Sequence, residues 1–105
     1  MVASAVVITA FVLIHTEGGQ TAAVGEAVAD IPDVAEVYSV TGEYDLVAIV
    51  RVKQYEQMSE VVPRRIAAVP GIARTHTMMA FQSYSRHDLE RMWGIGLDTE
   101  PAGGR

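Results

Sequence analysis

The chain has 105 residues, half of them hydrophobic, a net charge of −5 and no cysteine. That length holds one domain with a single core, and the apolar fraction excludes a disordered main body. No disulfide framework or thiolate metal site is available, and eight Lys and Arg supply no basic stripe for nucleic acid. Arg64, Arg65 and Arg74 read as a solvated face, so no direct nucleic-acid partner is expected.

Met1 to Ile14 is apolar but has no basic start, and His15, Thr16 and Glu17 end it short of a membrane span. A cytoplasmic protein without a membrane partner is expected. Val6 to His15 reads as a strand apolar on both sides, hence covered on both sides. Glu17-Gly18-Gly19 breaks it. Gln20 to Ala29 follows as a helix with Val24, Val28 and Ile31 on one stripe, stopped by Pro32. Val34 to Thr41 tolerates polar residues, as an edge strand does.

Gly42-Glu43-Tyr44 turns the chain into a third strand, Asp45 to Lys53, again almost continuously apolar. A second helix is expected over Tyr55 to Ala68, with Met58, Val62, Ile66 and Val69 inward. Pro63 inside it should cost a hydrogen bond and kink it, by roughly 3 kcal/mol if unrelieved; nothing in the sequence explains it. Pro70-Gly71 ends the helix and Ile72 to Ser85 forms a long fourth strand. Ser85 and Asp88 then resemble a capping box before a short helix carrying Leu89, Met92 and Trp93, with a frayed tail from Gly94. The expected division is residues 1–85 for the folded domain and 86–105 for the terminal helix and tail.

Residues 8–34 and 46–72 repeat one pattern at an offset of 38 positions. Ile8, Ala10, Val12 and Ile14 match Leu46, Ala48, Val50 and Val52; Val24 and Val28 match Val62 and Ile66; Pro32, Val34 and Ala35 match Pro70, Ile72 and Ala73. Strand, helix, strand performed twice is an α+β, ferredoxin-like βαββαβ sandwich. Its sheet is antiparallel and four-stranded, with strands one and three central and both helices on one face. The central strands are nonetheless apolar on their other face, which marks a partner site. A homodimer with two sheets packed face to face, a dimeric α/β barrel-like assembly, accounts for it; a folded-back Leu89–Trp93 helix is the alternative.

Three stretches together are similar to one family: Val40-Thr41-Gly42-Glu43-Tyr44-Asp45-Leu46-Val47, Pro32-Asp33-Val34, and Pro70-Gly71-Ile72-Ala73-Arg74-Thr75-His76-Thr77. They resemble the ligand-sensing (RAM) domain of the Lrp/AsnC transcriptional regulators, and Ala10 to Ile14 fits as well. The resemblance spans about residues 6–84. Full-length members carry a helix-turn-helix domain ahead of this one. Here nothing precedes the first strand, so the chain resembles the stand-alone version and is not expected to regulate transcription by itself. The resemblance implies dimers through the sheet face, rings of dimers, and an effector, usually an amino acid, in a cleft between dimers. It also implies that Gly42, Tyr44 and Asp45 line that cleft, joined by Thr75 and Thr77.

Each of these residues has a plainer reading beside it. Gly42 suits a turn that needs positive φ, and it also lets a carboxylate approach backbone amides. Asp45 is either a turn-capping carboxylate or the counter-charge of an α-ammonium group. Tyr44 is an interface aromatic or a ligand contact, and Thr75 and Thr77 share a strand face that β-propensity alone explains. His15 and His76 become neighbours if strands one and four pair, but without a third ligand they make no metal site. No nucleophile–base set, phosphate loop or metalloprotease motif occurs, so neither an enzyme nor a cofactor is expected. The expected function is non-catalytic effector binding coupled to oligomerisation. The alternatives are an interaction protein that co-assembles with full-length Lrp/AsnC regulators, and a small dimeric enzyme of monooxygenase type.

Overall fold

A computed structural model describes residues 7–84. Strand β1 (Ile8–Thr16) leads into helix α1 (Thr21–Ala29), then β2 (Val34–Ser39) and β3 (Leu46–Val52). Helix α2 (Tyr55–Glu60) runs on into a π-helical segment, Val61–Ile66, and β4 (Ile72–Met79) closes the sheet. The strand order is β2-β3-β1-β4, with every neighbouring pair antiparallel. The expected ferredoxin-like plan is therefore present, with β1 and β3 central and β2 at an edge.

Register decides which side chains meet the helices, because directly opposed residues share a sheet face. Ala10, Val12 and Ile14 lie opposite Val50, Ala48 and Leu46. All six are buried, in one cluster with Val24 and Val28 of α1 and Met58, Val61 and Ile66 beyond β3. The intervening residues Phe11, Leu13, Val47 and Ile49 point to the other face and are only partly buried. Tyr38 and Met78 join them there, 51% and 44% exposed. No described element covers that face.

The internal repeat extends to the backbone. Asp33 and Gly71 occupy equivalent positions after the two helices, and both have positive φ, 79° and 95°. Asp is one of the few residues besides Gly that tolerates this region. Just beyond, the ladder skips one residue in each copy, between Val34 and Glu36 on β2 and between Ile72 and Arg74 on β4. The extra residues are the matched pair Ala35 and Ala73. A bulge of this kind adds twist and re-aims the side chains that follow.

Pro63 finds its explanation in the π segment. In a continuous α-helix its ring would collide with the carbonyl of Ser59, four residues back. Here the helix widens at that point, and the Ala67 N–H reaches back five residues to the Val62 carbonyl at 3.2 Å. The helical stretch accordingly ends at Ile66 rather than Ala68. At its other end the Gln57 side-chain carbonyl accepts the N–H groups of Gln54 and Lys53, at 2.9 and 3.0 Å.

Other boundaries also differ from expectation. Strand β4 stops at Met79, not Ser85. Its neighbour among the described strands is β1, which begins at Ile8, and the last bond between them runs from Ala80 N–H to the Thr9 carbonyl at 2.9 Å. Strand β1 gains Thr16, which pairs with Ile72 past the bulge, and β2 ends at Ser39. The expected capping box at Ser85, the Leu89–Trp93 helix and the tail lie outside the described residues.

Gly71 is the position where the fold most needs a glycine. A Cβ there would lie 2.9 Å from Val24 Cγ2 and 3.1 Å from Gln20 Cβ, in addition to the strain at positive φ. Gly71→Ala is expected to lower unfolding stability by about 1–3 kcal/mol in urea titration. Gly42→Ala should cost less, because its φ is 110° but a Cβ would meet open space.

Candidate functional site

The turn between β2 and β3 brings one corner of the sheet together. Extending the β1–β3 register one step past Ile14↔Leu46 sets His15 beside Asp45. The Asp45 N–H donates to the Ile14 carbonyl at 2.8 Å. Its carboxylate Oδ2 in turn accepts the Thr16 N–H at 2.8 Å and the Thr16 hydroxyl at 3.1 Å. Thr16 is the buried polar residue of the core, 6% exposed, and its Oγ1 also lies 2.8 Å from Thr21 Oγ1 at the start of α1. Asp45 thus ties the start of β3 to the end of β1 and, through Thr16, to the first helix.

Both hydrogen bonds to the carboxylate fall on Oδ2. His15 Nδ1 stands 3.4 Å from the same oxygen, but the approach is out of line and the buried nitrogen makes no hydrogen bond. The contact is therefore one of charge, present when the imidazole is protonated. The Thr16 N–H chiefly holds the Asp45 carboxyl below its ordinary value of 3.8; partial desolvation opposes it, and the Thr16 hydroxyl and His15 reinforce it.

A second group sits around Tyr44. The Arg74 guanidinium carbon lies 5.1 Å from the ring centroid, and Arg74 Nη2 binds Glu43 Oε2 at 2.8 Å. The His76 ring is 6.5 Å from the Tyr44 ring, tilted by 30°. Arg74 faces His15, and His76 faces Leu13, so this cluster borders the open sheet face. Gly42 lies in the turn itself at φ 110°, with open space where a side chain would be.

Thr75 and Thr77 lie elsewhere. They oppose Ile14 and Val12 and so belong to the helix-covered face. Thr77 lines a shallow groove of about 190 Å³ with Tyr55, Met58, Ser59, Val62 and Pro63. The structure brings Gly42, Tyr44 and Asp45 into one corner and leaves the two threonines on the other side of the sheet. His15, Thr16, Thr21 and Arg74 had no part in the sequence-derived site. Only the register of β1 against β3 and the bulge at Ala73 reveal them, and neither has a residue-type signature. His, Asp and Glu among the described residues do not gather in threes as a metal site requires.

Asp45 makes acid stability the measurable consequence. A carboxyl whose native value is lowered adds stability above its unfolded value, near 3.8, and loses it as pH falls through the native one. Asp45→Asn is therefore expected to flatten the acid limb of stability against pH below about 4, read by urea unfolding at stepped pH. Thr16→Val, which keeps the shape and removes the hydroxyl, should cost about 1–2 kcal/mol near neutral pH.

The comparisons agree on the family and the fold of this chain. The family model described as the Lrp/AsnC ligand binding domain matches residues 9–89. The HTH-type transcriptional regulator FL11 of Pyrococcus horikoshii is 33% identical over 75 residues, 71% of this chain and 49% of the relative. The chain thus spans about half the length of the curated relatives it matches, which are named as transcriptional regulators and not as enzymes. The crystal structure of TTHA0845 from Thermus thermophilus superposes with a TM-score of 0.71 at 54% identity, over 75% of this chain and 99% of that one. A regulator from Neisseria meningitidis, NMB0573, solved as a complex with L-Met, shares the fold at 15% identity with a TM-score of 0.67, over 75% of this chain and 53% of that one. No helix among the described residues is long and apolar enough to cross a membrane. Matched by that model over residues 9–89, the chain belongs to the Lrp/AsnC ligand-binding domain family.

Proposed function

We propose that this domain is a non-catalytic module that binds a small effector, an amino acid, and assembles through its open sheet face into cytoplasmic homodimers and rings of dimers. The observation that carries the effector reading is the Asp45 carboxylate. It is held by Thr16 on one oxygen only, beside a turn at Gly42 with open space around it. A fixed carboxylate suits an α-ammonium group, and exposed turn amides suit an α-carboxylate. The L-Met complex of the Neisseria relative supports an amino acid as the ligand class. Binding acts on assembly to the extent that the effector prefers one assembly state over another.

The dimer reading rests on Phe11, Leu13, Val47 and Ile49, an apolar patch with no described element over it. The same patch would serve co-assembly with full-length regulators of the family. Recovery of mixed oligomers on co-expression with such a regulator, as opposed to strict self-association, separates the two.

The effector is tested by thermal unfolding against the twenty amino acids at millimolar excess. A ligand at 100 times its dissociation constant stabilises the folded state by about 2.7 kcal/mol. One or two amino acids are expected to raise the transition, and a flat panel defeats the amino-acid reading. Asp45→Asn, which keeps an acceptor for Thr16 and removes the charge, should abolish that shift and leave the dimer intact. Val47→Asp places a charge in the middle of the open face and should convert dimers into monomers in analytical ultracentrifugation.

A further inference from the structure

His15 stands beside the Asp45 carboxylate without holding it. Its Nδ1 is buried and makes no hydrogen bond, 3.4 Å from Asp45 Oδ2, while its side chain as a whole is 42% exposed. One end of the ring is pressed against the carboxylate and the rest is open to solvent. Oδ2 already accepts the N–H and the hydroxyl of Thr16. His15 therefore has only its charge with which to act on Asp45.

The groups around the imidazole come from each neighbouring element. Arg74 of β4 opposes His15, and extending the β1–β3 register sets Asp45 on its other side. Asp45, His15 and Arg74 thus form one row across three strands, with the histidine in the middle. Arg74 binds Glu43 at 2.8 Å and lies against the Tyr44 ring, and a guanidinium keeps its charge throughout. His76 stands one step along, opposite Leu13 and beside Tyr44, and Glu17, two positions on in the chain, is exposed. The Asp45 carboxyl, held below its ordinary value chiefly by the Thr16 N–H, stays ionised near neutral pH. A histidine is the side chain that ordinarily changes charge between about pH 5 and 8. In this row it is the member whose charge changes there.

We propose that His15 sets the affinity of the Asp45 site through its own charge: a neutral imidazole leaves the carboxylate to an α-ammonium group, and a protonated one repels that group. The inference rests on the amino-acid reading of the site given above and adds its regulation. Nδ1 lies beside Oδ2 and the ammonium takes the remaining oxygen, so two positive charges compete for one negative charge. The competition is one of charge and not of space, because no hydrogen bond from Nδ1 has to be broken. By reciprocity, binding of the amino acid expels a proton from His15. Affinity then falls with pH by at most about tenfold per unit, the limit for one proton exchanged. A domain built this way takes up its effector near neutrality and releases it on acidification.

The twenty amino acids are screened by thermal unfolding at about pH 5.5 and about pH 7.5, and each that raises the transition is titrated by calorimetry at both. Wild type is compared with His15→Gln, with His15→Asn as a second neutral replacement, and with His76→Gln. Wild type and His76→Gln are expected to bind several-fold more weakly at the lower pH, and the two His15 variants equally at both. Sedimentation should find one oligomeric state at both pH values. Equal affinities in the wild type, a loss that persists without His15, or a loss that accompanies dissociation overturns the role of His15 and leaves the amino-acid reading standing. A panel flat at both pH values overturns the two together.

Discussion

Ile14 faces Leu46 across the two central strands, and from that register everything else in the domain is placed. A slip of one residue would turn Ala10, Val12 and Ile14 to the open side and carry Phe11 and Leu13 under the helices. The pairing holds because the two faces make different demands. One is buried beneath α1, α2 and the π segment; the other carries Phe11, Leu13 and Ile49, with no described element over them. Apolar residues on both faces are what a central strand with two covers requires. The described chain supplies one cover, and the want of a second is the physical basis of the proposed assembly.

The two copies of the repeat share more than side-chain pattern. Asp33 and Gly71 turn the chain in the same left-handed conformation, and Ala35 and Ala73 interrupt the outer ladders at the same point. The second interruption has a consequence at the corner. Ile72 faces the helices opposite Thr16, and the extra residue lets Arg74, two positions on, face His15 on the opposite side. There it meets Glu43 and the Tyr44 ring. Without the bulge, alternation would return Arg74 to the helix side. The copies diverge at Pro63, where the second helix opens into π geometry and α1 has no counterpart.

Asp45 joins architecture to the proposed chemistry. Its amide and one carboxylate oxygen hold the end of β1, and Thr16 passes the connection to Thr21 at the start of α1. A ligand drawn to the remaining oxygen would therefore pull on an element that is already locked, with little reorganisation. Structural and binding roles need not compete for a carboxylate when they use different oxygens. Among the described residues the opposite end of the sheet has no such side-chain lock, and Phe81 stands exposed there beside a groove.

The amino-acid order by itself determined the fold. The repeat, the two proline stops and the apolar central strands are local or short-period features that physical chemistry reads directly. Composition also gave the turn at Gly42-Glu43-Tyr44, while Gly42, Tyr44 and Asp45 entered as candidate site residues through the family resemblance of that stretch. Thr16, Thr21 and Arg74 were decided only by the tertiary structure. Their roles depend on which strand residues oppose one another and on bulges that no residue type announces. The same holds for Thr75 and Thr77, whose two-residue spacing placed them on one face without saying which. Pro63 was legible as a disturbance, but its relief by a π turn depends on the neighbouring helical geometry. Spacing along the chain reports periodicity; register across the sheet is a property of the folded whole.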